Sequence, residues 1–159
     1  MNDPLATDLP AHIDPAWRIG IVASRFHGTH VQSLVEGAKK FLVAAGIPIA
    51  NIRLFEAPGS FEIPLIGAEL AKQQSVDALL GFGIIVQGET HHAELLARTV
   101  AHGMMDIQVR FGIPFAFEVL YVDSLQQAEA RTDGKHNKGE EAARAVLWSL
   151  AQLSAIRAS

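Results

Sequence analysis

The chain has 159 residues, which is enough for one domain with a substantial core and too few for two domains of ordinary size. Its net charge of -4 argues against a nucleic-acid partner, and the lack of cysteine excludes disulfides, thiolate nucleophiles and cysteine-based zinc sites. Hydrophobic residues make up 49% of the chain without a membrane-spanning run, so we expect a soluble, cytoplasmic protein with no membrane partner and, because so much is apolar, a homo-oligomer.

The N-terminal segment carries three aspartates and three prolines, with neither the basic nor the apolar region of a signal or transit peptide. We predict that residues 1–16 form a flexible N-terminal arm. Residues 17–159 are predicted to form a single domain.

From residue 17 onward, short apolar runs of strand length alternate with longer stretches of helical spacing. The predicted strands cover residues 17–23, 52–57, 78–86 and 114–122. Because these runs are apolar on both faces, they are typical of parallel strands with helices on each side.

A helix is predicted after each strand. Between the first two strands, an apolar stripe indicates a helix that Thr29 and Gln32 would begin as a capping box and that Gly46 would end. The other predicted helices cover residues 64–74, 91–110, 125–131 and 139–156. The predicted fold class is therefore α/β, a three-layer α/β/α sandwich with a four-stranded parallel, flavodoxin-like sheet.

Unusual residues gather in three loops that directly follow predicted strands, at residues 24–27, 58–62 and 87–92. In a parallel sheet of this kind, ligands bind in the crevice outside the carboxyl ends of the strands. The three loops are therefore the predicted functional site.

Gly88, Glu89 and Thr90 lie between a strand end and a helix start, where free backbone N–H groups can receive an anion. A phosphate or a carboxylate would fit there. The alternative is that Thr90 simply caps the helix. Neither of the two familiar glycine-rich nucleotide motifs occurs.

His91 and His92 lie about 100° apart around the predicted helix axis, so they cannot both face one pocket. A metal site would recruit one of them with Glu89 or Glu94, but no spacing places a third ligand, and we expect no metal. Proton transfer needs only one neutral imidazole. We predict that His92 is the catalytic residue.

Phe26 and Phe61 occupy loop positions where a ring either stacks on a flat heterocycle or closes the top of the core. Glu62 adds an acceptor suited to hydroxyl groups. Arg131 and Lys138 are either phosphate clamps or ordinary surface charges.

Four segments carry a family resemblance: residues 20–26, 58–64, 87–94 and 137–139. In this order and spacing the chain resembles the 6,7-dimethyl-8-ribityllumazine synthase family from about residue 17 to the C-terminus. The resemblance implies a transferase of riboflavin biosynthesis that condenses 5-amino-6-ribitylamino-pyrimidinedione with 3,4-dihydroxy-2-butanone 4-phosphate and uses neither metal nor organic cofactor. The alternative is a non-catalytic flavin- or lumazine-binding or shell-forming paralogue.

The resemblance also implies a role for each site residue. His92 would transfer protons, with Glu94 as the acidic residue two positions on. The residues that would bind the pyrimidine ring or the ribityl chain are Phe26, Ser60, Phe61, Glu62, Ile85, Val86, Phe117 and Lys138. The residues that would bind the phosphate are Gly88, Glu89, Thr90 and Arg131.

Phe117, Arg131 and Lys138 match residues that this family supplies from the neighbouring subunit. The resemblance therefore implies active sites between subunits of a pentamer, which in some members packs further into decamers or 60-mers. Riboflavin synthase is a further candidate partner. The sequence departs from the common family pattern at Gln87, where arginine is frequent, and in a shortened loop at residues 132–137 that leaves the register of Lys135 and His136 open.

Overall fold

Four parallel strands run through the centre of the protein, whose computed structural model describes residues 8–159. They are β1 (Ile19–Ser24), β2 (Ile52–Ala57), β3 (Ala78–Val86) and β4 (Phe115–Val122), and their order in the sheet is β2-β1-β3-β4. The helices are α1 (Gly28–Ala44), α2 (Ile63–Lys72), α3 (His92–Phe111), α4 (Leu125–Thr132) and α5 (Lys138–Ala158). A helix thus follows each strand and α5 comes last, which confirms the predicted α/β fold.

Two apolar clusters fill the space between the sheet and the helices. Ile19, Ile21 and Ala23 of β1 point to one side, where they join buried residues of α1, α4 and α5. Val22 points to the other side, toward buried residues of α2 and α3. The alternation of side chains along a strand thus produces the predicted three layers.

Coverage by helices differs between the inner and outer strands. β1 is buried at all six positions, and β3 is buried at every position except its last residue. β2 and β4 lie at the edges of the sheet and leave some of their side chains exposed, including Leu54 and Phe117. The prediction that all four strands are covered on both faces therefore holds only for the two inner strands.

The start of α1 differs from the predicted capping box. His27 precedes the helix in the left-handed backbone conformation with φ of 54°, and no side chain caps the helix. The backbone oxygen of His27 accepts hydrogen bonds from the N–H groups of His30 and Val31. The side chain of Gln32 binds Glu36, one turn further along the helix, so the capping-box prediction is wrong.

The end of α1 agrees with the prediction. Gly46 has φ of 106°, and its N–H donates to the oxygen of Val43, while that of Ile47 donates to the oxygen of Leu42. Glycine adopts this left-handed conformation without steric penalty.

Part of the predicted N-terminal arm, residues 1–7, lies outside the described residues. The remainder contacts the domain: Trp148 Nε1 donates to the oxygen of Asp8, Asn51 Nδ2 donates to the oxygen of Pro15, and Ile13 packs on the α1 and α5 side. The flexibility of the arm stays a prediction. Between residues 8 and 159, none of the helices combines the length and apolar character needed to cross a membrane.

Candidate active site

The three predicted loops lie together at the carboxyl edge of the sheet. Ser24, the last residue of β1, pairs with Ala57, the last residue of β2, and the N–H of Arg25 donates to the oxygen of Ala57 at 2.9 Å. β3 is the next strand beside β1, and loop 87–92 begins at its end. Parallel pairing therefore brings all three loops to one edge.

Phe26 stands at the mouth of an open cavity of about 480 Å3, which Arg25, His27 and Pro58 also line. Its ring is 67% exposed, although the backbone beneath it is fixed by a hydrogen bond from its N–H to the buried Oγ of Ser24. An exposed ring on a fixed backbone presents a flat apolar face to a ligand.

The second loop meets this cavity at Gly59. A Cβ atom added there would lie 3.7 Å from Cδ2 of Phe26 and 3.3 Å from Oε2 of Glu62. The carboxylate of Glu62 and the ring of Phe26 therefore border the same space. A flat heterocycle with hydroxyl groups attached would meet both an apolar face and an acceptor there.

Ser60 anchors the second loop to β3. It is only 6% exposed, and a Cβ atom at Gly83 of β3 would collide with its hydroxyl oxygen. The close approach of this loop to the sheet therefore depends on glycine at position 83. Phe61, the next residue, is exposed.

In the third loop, one side chain binds two backbone carbonyls. Gln87 Nε2 donates to the oxygens of Gly88 and Thr90, at 2.8 Å and 3.0 Å, and Tyr121 donates its hydroxyl hydrogen to Gln87 Oε1. The N–H of His92 donates to Thr90 Oγ1 at 3.4 Å. The N–H groups of Gly88, Glu89, Thr90 and His91 make no hydrogen bond to any described residue.

These free N–H groups precede a helix of 20 residues, α3. Their partial charges and the positive end of the helix dipole favour an anion at this position. The predicted phosphate-binding residues Gly88, Glu89 and Thr90 thus supply three of these four free backbone donors, and His91 supplies the fourth.

The two histidines lie at the start of α3. His91 has a side chain that is 99% exposed, with Nδ1 4.0 Å from Oε2 of Glu94, and Glu94 also pairs with Arg98. His92, the first residue of the helix, is exposed as well. Among residues 8–159, no three histidine, aspartate or glutamate side chains come together as a metal site.

Phe117, Arg131 and Lys138 lie on other elements of the same chain. Phe117 is on edge strand β4 and pairs with Gly81, so β3 separates it from β1. Arg131 donates to the backbone oxygen of Gln127 in its own helix, and Lys138 pairs with Glu141 at 2.6 Å. Within the described part of the chain, none of the three forms a hydrogen bond or ion pair with the loops at the carboxyl edge.

Ile85 is buried and Val86 half-buried near the end of β3, so it is their backbone groups that reach the edge. Gln87 lies in a predicted site loop but was assigned no role of its own, and Tyr121 was not among the predicted site residues. A glutamine in a loop gives no sign of its partners, and Tyr121 is 34 positions away. The departure from the family pattern at position 87 was the only available signal.

Comparison with known proteins shows the family to which the chain belongs. A family model described as 6,7-dimethyl-8-ribityllumazine synthase matches residues 16–154. Relatives carrying that name include one from Stenotrophomonas maltophilia strain K279a, 42% identical over 131 residues that cover 82% of this chain and 84% of the relative. Another, from Aquifex aeolicus strain VF5, is 40% identical over 131 residues that cover 82% of this chain and 85% of the relative.

Proposed function

Because this chain belongs to the 6,7-dimethyl-8-ribityllumazine synthase family, we propose that its three loops at the carboxyl edge of the sheet form a lumazine synthase active site. The chain is a transferase of riboflavin biosynthesis. Its reaction condenses 5-amino-6-ribitylamino-pyrimidinedione with 3,4-dihydroxy-2-butanone 4-phosphate and releases phosphate and water.

One observation carries the assignment of the site: a pocket with an aromatic face and a carboxylate lies at the same edge of the sheet as a loop of unpaired backbone donors. The pocket is formed around Phe26 and Glu62, and the donors lie between Gly88 and His91. The two substrates need these two environments, since one is a flat heterocycle with a polyol chain and the other is a small phosphate ester.

In this proposal the pyrimidine ring stacks on Phe26. Glu62, Ser60 and Phe61 hold the ribityl chain and the ring edge, with help from backbone groups of Ile85 and Val86. The carboxylate accepts hydrogen bonds from ribityl hydroxyls, which makes each bond charge-assisted.

The phosphate is proposed to bind the free N–H groups of loop 87–92, through Gly88, Glu89 and Thr90. Holding the phosphate there places the neighbouring ketone next to the pyrimidine amine in Phe26's pocket. Much of the rate gain then comes from keeping two reactive partners together in the correct orientation.

His92 is proposed to transfer protons. The amine attacks the ketone and water leaves to give an imine, phosphate is then eliminated, and ring closure expels water. Each step moves a proton, and His92, the first residue of α3, directly follows the loop proposed to hold the phosphate.

Phe117, Arg131 and Lys138 are proposed to complete the site of a neighbouring subunit. Two observations support their assignment to the site of a neighbouring subunit. The three residues lie away from the three loops of their own chain, and the chain belongs to a family with oligomeric members. We propose a homopentamer, which is also the unit of decamers and 60-mers, with riboflavin synthase as a candidate partner. The absence of cysteine fits a reducing compartment, so the cytoplasm is the proposed location.

The test is to mix the purified protein with the two substrates and follow the fluorescence of the lumazine product. We expect a rate above the spontaneous condensation. A rate equal to the spontaneous one would overturn the proposed function and favour a non-catalytic binding or shell-forming protein.

The adjacent histidines provide a matched pair for the residue assignment. We expect His92→Ala to lower kcat by about 10- to 100-fold, because proton transfer is lost while substrate orientation remains. His91→Ala should keep wild-type kcat within about twofold, because the His91 side chain is almost wholly exposed and is assigned no proton transfer. Equal losses in the two variants would contradict the assignment of His92.

A further inference from the structure

The side-chain amide of Gln87 uses both of its ends. Its nitrogen donates to the oxygens of Gly88 and Thr90, and its oxygen accepts the hydrogen of the Tyr121 hydroxyl. Three hydrogen bonds on one side chain fix its position and its orientation. The amide therefore links the loop to the sheet through hydrogen bonds.

The hydrogen bonds of the Gln87 amide to the two carbonyls determine where two backbone N–H groups point. The peptide bonds of the described chain are trans, so the oxygen of one residue and the N–H of the next lie on opposite sides of each bond. With the oxygens of Gly88 and Thr90 turned toward Gln87, the N–H groups of Glu89 and His91 must turn away from it. Both N–H groups are among those without a partner in residues 8–159.

Tyr121 fixes which end of the amide faces the loop. It lies on β4 and pairs with Ile85, so its ring stands beside the end of β3 that leads into Gln87. A hydroxyl hydrogen directed at the amide oxygen leaves the amide nitrogen for the two carbonyls. Without Tyr121, the amide is free to rotate and one of its two carbonyl bonds weakens.

We propose that Gln87, oriented by Tyr121, is a positioning residue that keeps the N–H groups of Glu89 and His91 directed at the substrate phosphate. This inference rests on the proposed function of the loop. Gln87 itself does not touch the phosphate, because its donors are already used on the carbonyls. The neutral amide thus contributes through loop geometry rather than through charge.

The first experiment compares Gln87→Met, which keeps the side-chain length and removes the hydrogen bonds, with Gln73→Met as a surface control at the end of α2. Gln73 binds only Glu69 in its own helix. We expect Gln87→Met to raise KM for the butanone phosphate about tenfold, while KM for the pyrimidine stays within about twofold. Gln73→Met should change neither constant.

The second experiment is a double-mutant cycle with Tyr121→Phe, which removes one hydroxyl group. Alone, this change should raise KM for the phosphate substrate about threefold. Combined with Gln87→Met it should add nothing, because Tyr121 acts through Gln87. Equal increases in KM for both substrates, or effects that multiply in the double variant, would overturn the inference.

Calorimetric titration with inorganic phosphate separates this inference from the proposed function. Wild-type protein should bind phosphate, and Gln87→Met should weaken that binding about tenfold at an unchanged melting temperature and assembly state. If wild type binds phosphate in a Gln87-dependent way but forms no lumazine, only the proposed function fails. If wild type forms lumazine and phosphate binding is the same in Gln87→Met, the positioning role fails.

Discussion

Glu118 carries a half-buried carboxyl group whose position disfavours its ionised form. It lies on β4, on the side that faces α5, and makes no hydrogen bond to any described residue. Burial raises its pKa from 4.5 to about 7, an effect that nearby Lys138 opposes and nearby Glu141 reinforces. Lys138, which is itself paired with Glu141, lowers the pKa of Glu118 by less than burial raises it.

The raised pKa predicts a particular dependence of stability on pH. The folded protein holds this proton more tightly than the unfolded chain, so the contribution is complete below about pH 4.5 and is lost as pH rises through 7. A shift of this size corresponds to a loss of about 3 kcal/mol in the free energy of unfolding. Glu118→Gln should remove this loss.

Urea unfolding at pH 5 and pH 8 measures the effect. We expect Glu118→Gln to be more stable than wild type at pH 8, with the difference shrinking toward pH 5. Glu56→Gln, on the exposed side of edge strand β2, serves as the control. A difference between Glu118→Gln and wild type that stays constant across this range would show that Glu118 is not the titrating group.

At the scale of single residues, the sequence shows which positions carry side chains suited to the site, but not which residues those side chains contact. Phe26, Glu62 and the 88–90 segment were predicted because loop position and side-chain chemistry are local properties. The capping box at Thr29 was wrong because α1 begins earlier, at Gly28, where the backbone oxygen of His27 accepts the N–H groups of His30 and Val31. The role of Gln87 depends on Tyr121, whose proximity only the folded sheet creates.

At the scale of elements, Asn137 joins three helices. Its Oδ1 caps α5 by accepting the N–H of Gly139 at 2.8 Å. Its Nδ2 donates to the oxygen of Ser33 in α1 at 2.9 Å and to that of Thr132 in α4 at 2.6 Å. The buried side chain of Asn137 thus sets the position at which α5, and with it Lys138, begins.

We predict that Asn137→Ala lowers the free energy of unfolding by about 3 kcal/mol, because a cap is lost and two carbonyl oxygens lose their donor in a buried place. Ser124→Ala, which removes the cap of α4, should cost about 1 kcal/mol. Denaturant unfolding of both variants provides the comparison. Equal costs would mean that the bonds to α1 and α4 contribute nothing.

The element order could be predicted because apolar runs of strand length and longer stretches of helical spacing alternate clearly along the chain. The pairing order β2-β1-β3-β4 agrees with the predicted flavodoxin-like sheet, but periodicity alone does not give it, since a periodicity shows which faces of a strand are apolar and not which strand lies beside it. That is why β2 and β4 were expected to be covered like β1 and β3. The site edge was predictable nonetheless, because the carboxyl ends of parallel strands meet at one edge in any order.

For the whole molecule, the surplus of apolar residues has a visible consequence. Large hydrophobic side chains are exposed on several elements of the single chain. They include Leu54, Leu65, Leu95, Met105, Val109, Phe117 and Tyr121. A chain of this size would ordinarily bury more of this surface, and association with further copies would do so.

The predicted site residues do not all come together within a single chain. Phe26, Glu62 and loop 87–92 lie at one edge of the sheet within one copy, whereas Phe117, Arg131 and Lys138 form no hydrogen bond or ion pair with these loops in residues 8–159. Periodicity and loop position describe one chain and carry no information about its neighbour. The proposal that a second copy completes the site rests on the resemblance of the motifs.

The proposed site between subunits makes a prediction for mixed assemblies of two impaired chains. His92→Ala chains retain Arg131, and Arg131→Ala chains retain His92. When equal amounts assemble at random, roughly one quarter of the interfaces should pair an intact His92 with an intact Arg131 from the next subunit. Lumazine formation should therefore recover to about a quarter of the wild-type rate, well above either variant alone.

A matched control distinguishes shared sites from general rescue. His92→Ala mixed with Phe61→Ala should recover nothing, because both residues are proposed to come from the same subunit, so that no interface regains both. Recovery is measured on mixed oligomers isolated through two different affinity tags. If neither mixture recovers activity, or both recover equally, Arg131 does not act across the subunit boundary.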